Sequence, residues 1–286
     1  MDVSISKFKQ KPACRSEYDA LQTVILCRPE HMAIKDIINE TQKFFEHENI
    51  DITIAKKQHS DFVSILKAHH IEVIMLPENR QLPEQVFTRD IGFVLGGTAF
   101  ISNMAASVRQ GEEKAFQKLL EDENIPFIRM EEANIEGGDV MIAGDTVYVG
   151  LSNRTEQAAV AELENALPEY TVVPIPLQED FLHLDCVFNI ISDTEALYCR
   201  KGLRQKEIDL LAKRFELIEI PEKEHFTLGP NVLSIGHKTI ISLPQHRHTN
   251  SELKKRGYRV IETDLSEIIK SGGSFRCCTL PIVRRS

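Results

Sequence analysis

The stretch DVMIAGDTVYVGLSN, residues 139–153, contains two runs of apolar and β-branched residues separated by a turn signal at Gly144. This pattern predicts a strand, a tight turn and a return strand. Three other segments share the pattern: DIGFVLGGTAFISNM from Asp90 with a turn at Gly96, DCVFNIISDTEALYC from Asp185 with a turn at Ser192, and NVLSIGHKTIISLPQ from Asn231 with a turn at Gly236. We therefore expect four β-hairpins.

The hairpins start at a nearly constant spacing. The intervals are 49 residues (139 minus 90), 46 (185 minus 139) and 46 (231 minus 185), and a further 46 residues lead to Cys277. CCTLPIVRRS, which begins there, reads as a single strand, and LQTVILCRP from Leu21 could supply its return strand. Because a fixed period of about 40 to 50 residues indicates a repeat architecture, five units joined through the two termini suggest a closed ring.

Amphipathic stretches separate the hairpins and predict helices. They cover residues 112–121, 156–166, 204–215 and 251–257, with two more at 34–47 and 61–70 before the first hairpin. Strands that alternate with helices are typical of α/β proteins. We expect a single domain over residues 1–286.

Composition excludes several classes of protein. The net charge of -9 argues against nucleic acid or an anionic membrane as the partner, since both attract concentrated Lys and Arg. The N-terminus lacks the apolar run of a signal peptide, and no 18-residue apolar run occurs, so we expect a cytoplasmic protein. The six cysteines lack the spacing of a zinc site, and most should be core residues.

Four motifs lie at or beside the starts of the units: FTRD ending at Asp90, NIEGGD ending at Asp139, HLD ending at Asp185, and GGSFRCC ending at Cys278. In a ring these positions would face a common axis, bringing together Cys277, His183 and several carboxylates. Each residue alone has a structural interpretation, as a core cysteine, a core histidine or a solvated loop carboxylate. Their convergence on one register favours a functional site.

This motif set resembles that of the guanidino-modifying enzymes of the pentein superfamily: dimethylarginine dimethylaminohydrolase, arginine deiminase and the amidinotransferases. The resemblance runs in the same order over residues 16–285. It implies a five-bladed, pseudo-symmetric α/β propeller of five ββαβ units, closed by the two termini. It also implies a metal-independent enzyme without a cofactor, acting on a small guanidino amino acid, and a possible homodimer.

The resemblance implies roles for seven residues: Cys277 as nucleophile, His183 as general acid and base, Glu136 as the carboxylate near His183, Asp90 and Asp185 as ligands of the guanidinium nitrogens, and Arg109 and Arg154 as ligands of the substrate α-carboxylate. Elementary chemistry supports these roles. Paired carboxylates can bind a planar guanidinium through charge-assisted hydrogen bonds. The guanidinium carbon is a poor electrophile and requires a thiolate, while a histidine can protonate the departing amine and deprotonate water.

Two choices remain open within the resemblance. Cys277 is preferred to Cys278 because it completes the 46-residue register and follows the Arg of GGxxRC; neighbouring strand residues point to opposite faces. The chain length leaves no room for the additional helical domain usual in arginine deiminases, which favours a dimethylarginine dimethylaminohydrolase-like hydrolase. FTRD and the aspartate after His183 instead resemble arginine deiminase. The motifs are also compatible with an amidinotransferase, and the ring alone would suit a non-catalytic, ring-shaped binding protein.

Overall fold

The computed structural model describes residues 8–286. Its strands are β1 (Ala20–Leu26), β2 (Glu72–Met75), β3 (Gly92–Leu95), β4 (Thr98–Ile101), β5 (Phe127–Arg129), β6 (Val140–Ala143), β7 (Thr146–Leu151), β8 (Thr171–Pro176), β9 (Phe188–Ile190), β10 (Glu195–Tyr198), β11 (Glu216–Glu219), β12 (Leu233–Gly236), β13 (Thr239–Ser242), β14 (Arg259–Glu262) and β15 (Leu280–Arg285). Its α-helices are α1 (Glu40–Phe45), α2 (Ile52–Ala68), α3 (Glu113–Asp122), α4 (Gln157–Ala166), α5 (Gln205–Leu211), α6 (Arg247–Lys255) and α7 (Ser266–Ile269).

The strands form small three-stranded sheets of one design, with the orders β15-β1-β2, β3-β4-β5, β6-β7-β8, β9-β10-β11 and β12-β13-β14. In each sheet the central strand pairs antiparallel with one neighbour and parallel with the other. In β6-β7-β8, for example, Val140 pairs with Val149 across the hairpin, and Tyr148 pairs with Val173 in the parallel ladder. The mixed α/β class and the four hairpins are confirmed.

One sheet joins the two ends of the described chain. Ala20 of β1 pairs with Arg285 of β15, and Ile25 pairs with Leu280, in an antiparallel ladder. Thr23 of β1 pairs with Glu72 of β2 in the parallel ladder. The segment from Leu21 therefore supplies the return strand of the last unit, as expected.

The hairpin turns have the conformations that their sequences predict. Gly96 and Gly144 adopt φ values of +58° and +68°, a left-handed conformation that side chains with a Cβ atom disfavour. Ser192 stabilises its turn differently, because its hydroxyl accepts hydrogen bonds from the backbone N–H groups of Thr194 and Glu195.

Apolar clusters pack between sheets that follow one another along the chain. Phe93 and Leu95 of β3 pack with Val140 of β6, whereas Val94 between them packs with Ile25 of β1. Similar clusters join β6-β7-β8 to β9-β10-β11, β9-β10-β11 to β12-β13-β14, and β12-β13-β14 to β15-β1-β2. Both faces of these sheets are thus buried, which explains the nearly continuous apolar runs in the strands.

Several helix boundaries differ from the expectations. The helix expected over residues 34–47 is only α1, because Asn39 caps its N-terminus by accepting a hydrogen bond from Gln42. α2 begins nine residues before the expected start at 61, since Asp51 accepts hydrogen bonds from the N–H groups of Thr53 and Ile54. α6 begins at Arg247 rather than 251. Across residues 8–286, no helix combines the length and apolar character needed to cross a membrane.

Candidate active site

Polar residues in the short turns that enter the sheets lie together in the protein interior. Asp90 precedes β3, Glu136 precedes the turn into β6, and His183 and Asp185 lie at the turn into β9. With Cys277, which precedes β15, each is at most 3% exposed. Buried polar groups of this kind require partners, and the partners define the site.

His183 lies between two carboxylates. Its Nε2 atom lies 2.8 Å from Oε2 of Glu136, and its Nδ1 atom lies 3.6 Å from Oδ1 of Asp90. Gly138 of the EGGD motif makes this approach possible, because a Cβ atom there would lie 2.8 Å from His183 Nδ1 and 2.7 Å from Asp90 Oδ1. Within residues 8–286, Nδ1 of His183 and Oδ1 of Asp90 have no hydrogen-bond partner.

The carboxylates hold His183 in its charged form. Burial alone would lower the pKa of His183, but Asp90 and the hydrogen bond with Glu136 raise it to about 10. Burial would likewise raise the pKa of Glu136, but the hydrogen bond and charge of His183 lower it to about 2. The pair is therefore an imidazolium bound to a carboxylate, with Nδ1 left to face Asp90.

The thiol of Cys277 lies beside a carboxylate and an amide. Its Sγ atom is 3.7 and 3.8 Å from the two carboxylate oxygens of Asp185, and the Nδ2 atom of Asn231 donates to it at 3.2 Å. Cys186 also contacts Asp185, with its Sγ atom 3.7 Å from Oδ1. Burial raises the pKa of Asp185, an effect that Arg276 partly opposes.

Asp90 has a strong partner in Arg109. Nη1 of Arg109 donates to Oδ2 of Asp90 at 2.6 Å, and its Nε and Nη2 atoms donate to Glu112 at 3.1 and 2.8 Å. Nη2 also donates to the carbonyl oxygen of Phe87. Arg109 thus differs from the expected α-carboxylate ligand, because all three of its nitrogens already bind protein groups in a buried network.

Arg154 lies at the edge of the site. Its Nη2 atom donates to the carbonyl oxygen of Ile38 at 2.9 Å, and its Nη1 atom lies 3.8 Å from Oε1 of Glu136 without a hydrogen-bond partner among the described residues. The side chain lines a cleft between residues 37–40 and residues 179–182. This is the position from which an arginine can bind an anionic group that enters the cleft.

Asp185 lies beside a buried cluster of charged side chains. Arg276 places Nε at 3.6 Å from Oδ2 of Asp185 and Nη1 at 2.6 Å from Oε2 of Glu17. Nη2 of Arg89 lies 3.8 Å from the same Glu17 oxygen. Burial would raise the pKa of Glu17, but Arg276 and Arg89 lower it to about 2. Glu17 is therefore the shared counterion of two buried arginines.

Comparison with known proteins assigns the chain to a family. The family model for eukaryotic N,N dimethylarginine dimethylhydrolase matches residues 28–284. The chain belongs to this family. The resemblance seen in the motifs to the guanidino-modifying penteins is thereby confirmed, and with it the broad class of enzymes that act on guanidino groups.

The chain, a member of the dimethylargininase family, is similar to proteins that carry different names. The uncharacterized protein YkgA of Bacillus subtilis (strain 168) is 60% identical over 99% of both chains. The N(G),N(G)-dimethylarginine dimethylaminohydrolase of Mycobacterium tuberculosis is 25% identical over 89% of this chain and 83% of its own. The product-bound N-terminal domain of ArgZ, an arginine dihydrolase from cyanobacteria, has a TM-score of 0.86 and 24% identity, covering 93% of this chain and 98% of that chain.

Two residues of this dimethylargininase-family site have no role assigned from the sequence. Asn231 is the fourth member of the spaced series, and the structure brings its amide to Cys277. Glu112 carries no such signal, because Gln110 and Gly111, which separate it from Arg109, are not helical, and the ion pair depends on this irregular turn. Burial raises the pKa of Glu112 to about 7, although Arg109 opposes the rise.

The same carboxylates could in principle hold a metal ion. Ligand atoms of Asp90, Glu136 and His183 lie within 4.8 Å of one another. Arg109 binds Asp90, however, and Arg154 lies close to Glu136, so the carboxylates already face cationic side chains. A divalent cation would be repelled by both arginines, and the expectation of a metal-independent site stays a prediction.

Proposed function

We propose that the chain hydrolyses a C–N bond in the guanidinium group of arginine or an Nω-methylated arginine, through a covalent adduct at Cys277. The observation that carries this proposal is the buried contact between the Cys277 thiol and Asp185. Two positions before Asp185 in the chain lies His183, the imidazolium that is bound to Glu136. A thiol beside carboxylates suits a cationic electrophile, because the carboxylates bind the same cation that the sulfur attacks.

Two carboxylates offer acceptors to the guanidinium. Oδ1 of Asp90 has no hydrogen-bond partner among residues 8–286, and the hydrogen bonds found to Asp185 come from weak thiol donors. Planar N–H groups would satisfy both residues better. In this proposal Arg109 orients Asp90 through its bond to Oδ2, and leaves Oδ1 for the substrate.

The reaction then follows from the two nitrogens of His183. Nε2 is bound to Glu136, so Nδ1 is the atom available for proton transfer. The Cys277 thiolate adds to the guanidinium carbon, and Nδ1 gives its proton to the nitrogen that departs as an amine or ammonia. Water then adds to the amidino carbon and gives one proton to Nδ1, which restores the imidazolium. As the C–S bond breaks, the remaining hydroxyl proton passes to solvent, and citrulline and the thiolate are released.

Arg154 is the better candidate of the two arginines for the substrate α-carboxylate. Its Nη1 atom has no hydrogen-bond partner among the described residues and lies 3.8 Å from Glu136, and its side chain lines the cleft at residues 37–40. The Ile38 carbonyl that now accepts from Nη2 belongs to the segment between β1 and α1. A substrate carboxylate would compete for this guanidinium with a charge-assisted bond.

We also propose that the five sheets form the closed five-bladed ring implied by the family. The support is the cluster pattern: each apolar cluster joins two consecutive sheets, and the series returns to the sheet that contains β1 and β15. In such a ring the entry turns that carry Asp90, Glu136, His183 and Asp185 face one axis, which agrees with their mutual contacts.

Citrulline formation tests the proposed reaction. Purified protein is incubated with arginine, monomethylarginine or asymmetric dimethylarginine, with Cys277→Ser as the control, and citrulline is measured colorimetrically. Release that depends on Cys277 supports the hydrolase, and the ranking of kcat/KM identifies the substrate. Transfer of an amidino group to an added amine, without citrulline, would instead indicate an amidinotransferase. Inertness in both assays would favour a non-catalytic binding protein.

A further inference from the structure

Asn231 makes a complete set of hydrogen bonds in the interior. It is 0% exposed, and its Nδ2 atom donates to the carbonyl oxygen of Asp185 at 3.0 Å and to the Sγ atom of Cys277 at 3.2 Å. Its Oδ1 atom accepts from the backbone N–H groups of Arg276 and Cys277 at 3.1 and 3.2 Å. Both amide hydrogens and both lone pairs are therefore used.

These partners fix the orientation of the amide. If oxygen and nitrogen exchanged places, the NH₂ group would face two backbone donors and the oxygen would face a backbone carbonyl. Such a flip would lose the three hydrogen bonds to the backbone in a buried site, so the nitrogen must point toward the sulfur. The sulfur of Cys277 is consequently the acceptor in this contact. An N–H donor to sulfur favours the thiolate over the thiol, because a hydrogen bond to the charged form stabilises that form.

We propose that Asn231 binds and stabilises the thiolate of Cys277, and that it is a further functional residue of the site. This inference rests on the proposed function insofar as Cys277 is the nucleophile. Asn231 also fixes the backbone that carries the sulfur, since the same amide accepts from the N–H of Cys277. Asn231 thus determines both where the sulfur of Cys277 lies and how readily the thiol loses its proton.

The carboxylate beside the sulfur gives this donor its importance. Asp185 lies 3.7 and 3.8 Å from Cys277 and as an anion opposes a thiolate, whereas the Cys186 thiol, whose pKa is raised by its hydrogen bond with Cys277, can act only as a second, weaker donor to the sulfur. Arg276 provides positive charge near the sulfur, but its guanidinium also forms ion pairs with Asp185 and Glu17. When a guanidinium occupies Asp185, the Cys277 thiol loses that acceptor. The amide of Asn231 remains as a direct donor to the sulfur during attack.

Thiolate absorbance near 240 nm, followed against pH, tests the inference without any substrate. The signal of Cys277 is the difference between each protein and the same protein carrying Cys277→Ser. We expect Asn231→Ala to move the midpoint of this signal to higher pH by about one unit, a roughly tenfold loss of thiolate at a given pH. Asn231→Asp retains the acceptor to the backbone but places an oxygen against the sulfur, and should move the midpoint further.

Asn189→Ala is the matched control. Asn189 is buried beside the same loop and donates to the carbonyl oxygens of Pro230 and Val232, which flank Asn231, but the N–H···S contact does not involve it. Its removal should lower thermal stability and leave the midpoint near that of the wild type. An equal shift in Asn189→Ala and Asn231→Ala would overturn the inference, because loop distortion would then explain both.

The outcome can be separated from that of the proposed function. If no guanidine is hydrolysed but the midpoint still depends on Asn231, the thiolate role stands and the proposed reaction falls. If citrulline is formed and the midpoint is unchanged in a folded Asn231→Ala protein, the reaction stands and this inference is wrong. The iodoacetamide labelling rate of Cys277, measured by mass spectrometry, provides a second readout and should fall about tenfold in Asn231→Ala at neutral pH.

Discussion

Glu136→Gln is the sharpest test of the buried acid-base pair. The substitution preserves side-chain volume but not the hydrogen-bond pattern. Oε2 accepts from His183, and Oε1 accepts from the backbone N–H of Ala105 at 3.1 Å while Nη1 of Arg154 lies 3.8 Å away. A glutamine must turn its NH₂ group toward one of these donors. The variant therefore loses the negative charge at position 136 and places the NH₂ group of the glutamine against another N–H donor.

The structure sets the size of the effect. Coulomb's law at an effective dielectric constant of about 20 gives about 6 kcal/mol for unit charges at the 2.8 Å separation of His183 and Glu136. Removing one partner of a buried pair typically costs about 3 to 5 kcal/mol. We expect about 3 kcal/mol at pH 7, the lower end, because His183 can release its proton. At roughly 2 °C per kcal/mol, Tm should fall by about 6 °C.

The pH dependence has a defined direction. The folded protein raises the pKa of His183 from 6.5 to about 10, so the charged form stabilises the fold fully below pH 6.5 and this contribution disappears as pH rises toward 10. In Glu136→Gln the imidazolium keeps the charges of Asp90 and Asp139 but loses the carboxylate that is hydrogen-bonded to it, and the pKa falls. We expect the alkaline limb of kcat to move to lower pH, with about a 100-fold loss at pH 8 and a smaller loss at pH 6.

Citrulline formation from pH 5.5 to 10 and thermal melts over the same range would measure both effects. Glu224→Gln is the matched control, because Glu224 is a buried carboxylate that accepts hydrogen bonds from His248 and Thr249 at the start of α6. It should lower Tm and leave the pH profile of kcat unchanged. A profile of unchanged shape in Glu136→Gln, scaled down equally at every pH, would refute the claim that Glu136 tunes His183.

Three further outcomes follow from individual contacts. Cys277→Ser should abolish turnover while Cys278→Ser keeps most of it; comparable losses of kcat would reverse the choice of nucleophile. Glu17→Gln should lower the free energy of unfolding, measured in urea, by about 3 to 5 kcal/mol, since it leaves Arg276 without its 2.6 Å counterion; a change below 1 kcal/mol would contradict this. Arg154→Met should raise KM for arginine at least tenfold with a smaller change in kcat, and an unaffected KM would exclude Arg154 as the carboxylate ligand.

Sequence predicted the parts of this protein that depend on local pattern. The hairpins followed from short apolar runs with Gly or Ser turns, and the spacing placed Asp90, Asp185 and Cys277 in equivalent turns. Helix starts were less accurate, because capping by Asn39 and Asp51 depends on single side chains that the apolar period does not reveal. Such local signals do not indicate which side chains contact one another across the protein interior.

The arginines illustrate that limit. Arg109 and Arg154 occupy similar offsets from the motifs, yet one is surrounded by Asp90 and Glu112, while the other reaches a cleft. An offset along the chain cannot distinguish these environments, since the distinction comes from Glu112 approaching in three dimensions. Similarly, the 46-residue spacing predicted that Asn231 lies at the start of a unit. It could not predict the contact between the Asn231 amide and the Cys277 sulfur, because that contact depends on how the amide is oriented.

The placement of Asp185 explains why this site suits a cation in particular. Asp185 is buried 3.7 Å from the sulfur of Cys277, and the hydrogen bonds that it accepts come from thiols, which are weak donors. A bound guanidinium would give this carboxylate stronger, charge-assisted donors and would place positive charge beside the sulfur. A neutral ligand of similar shape would offer neither. The charge of this pocket thus agrees with the guanidino-modifying family to which the chain belongs.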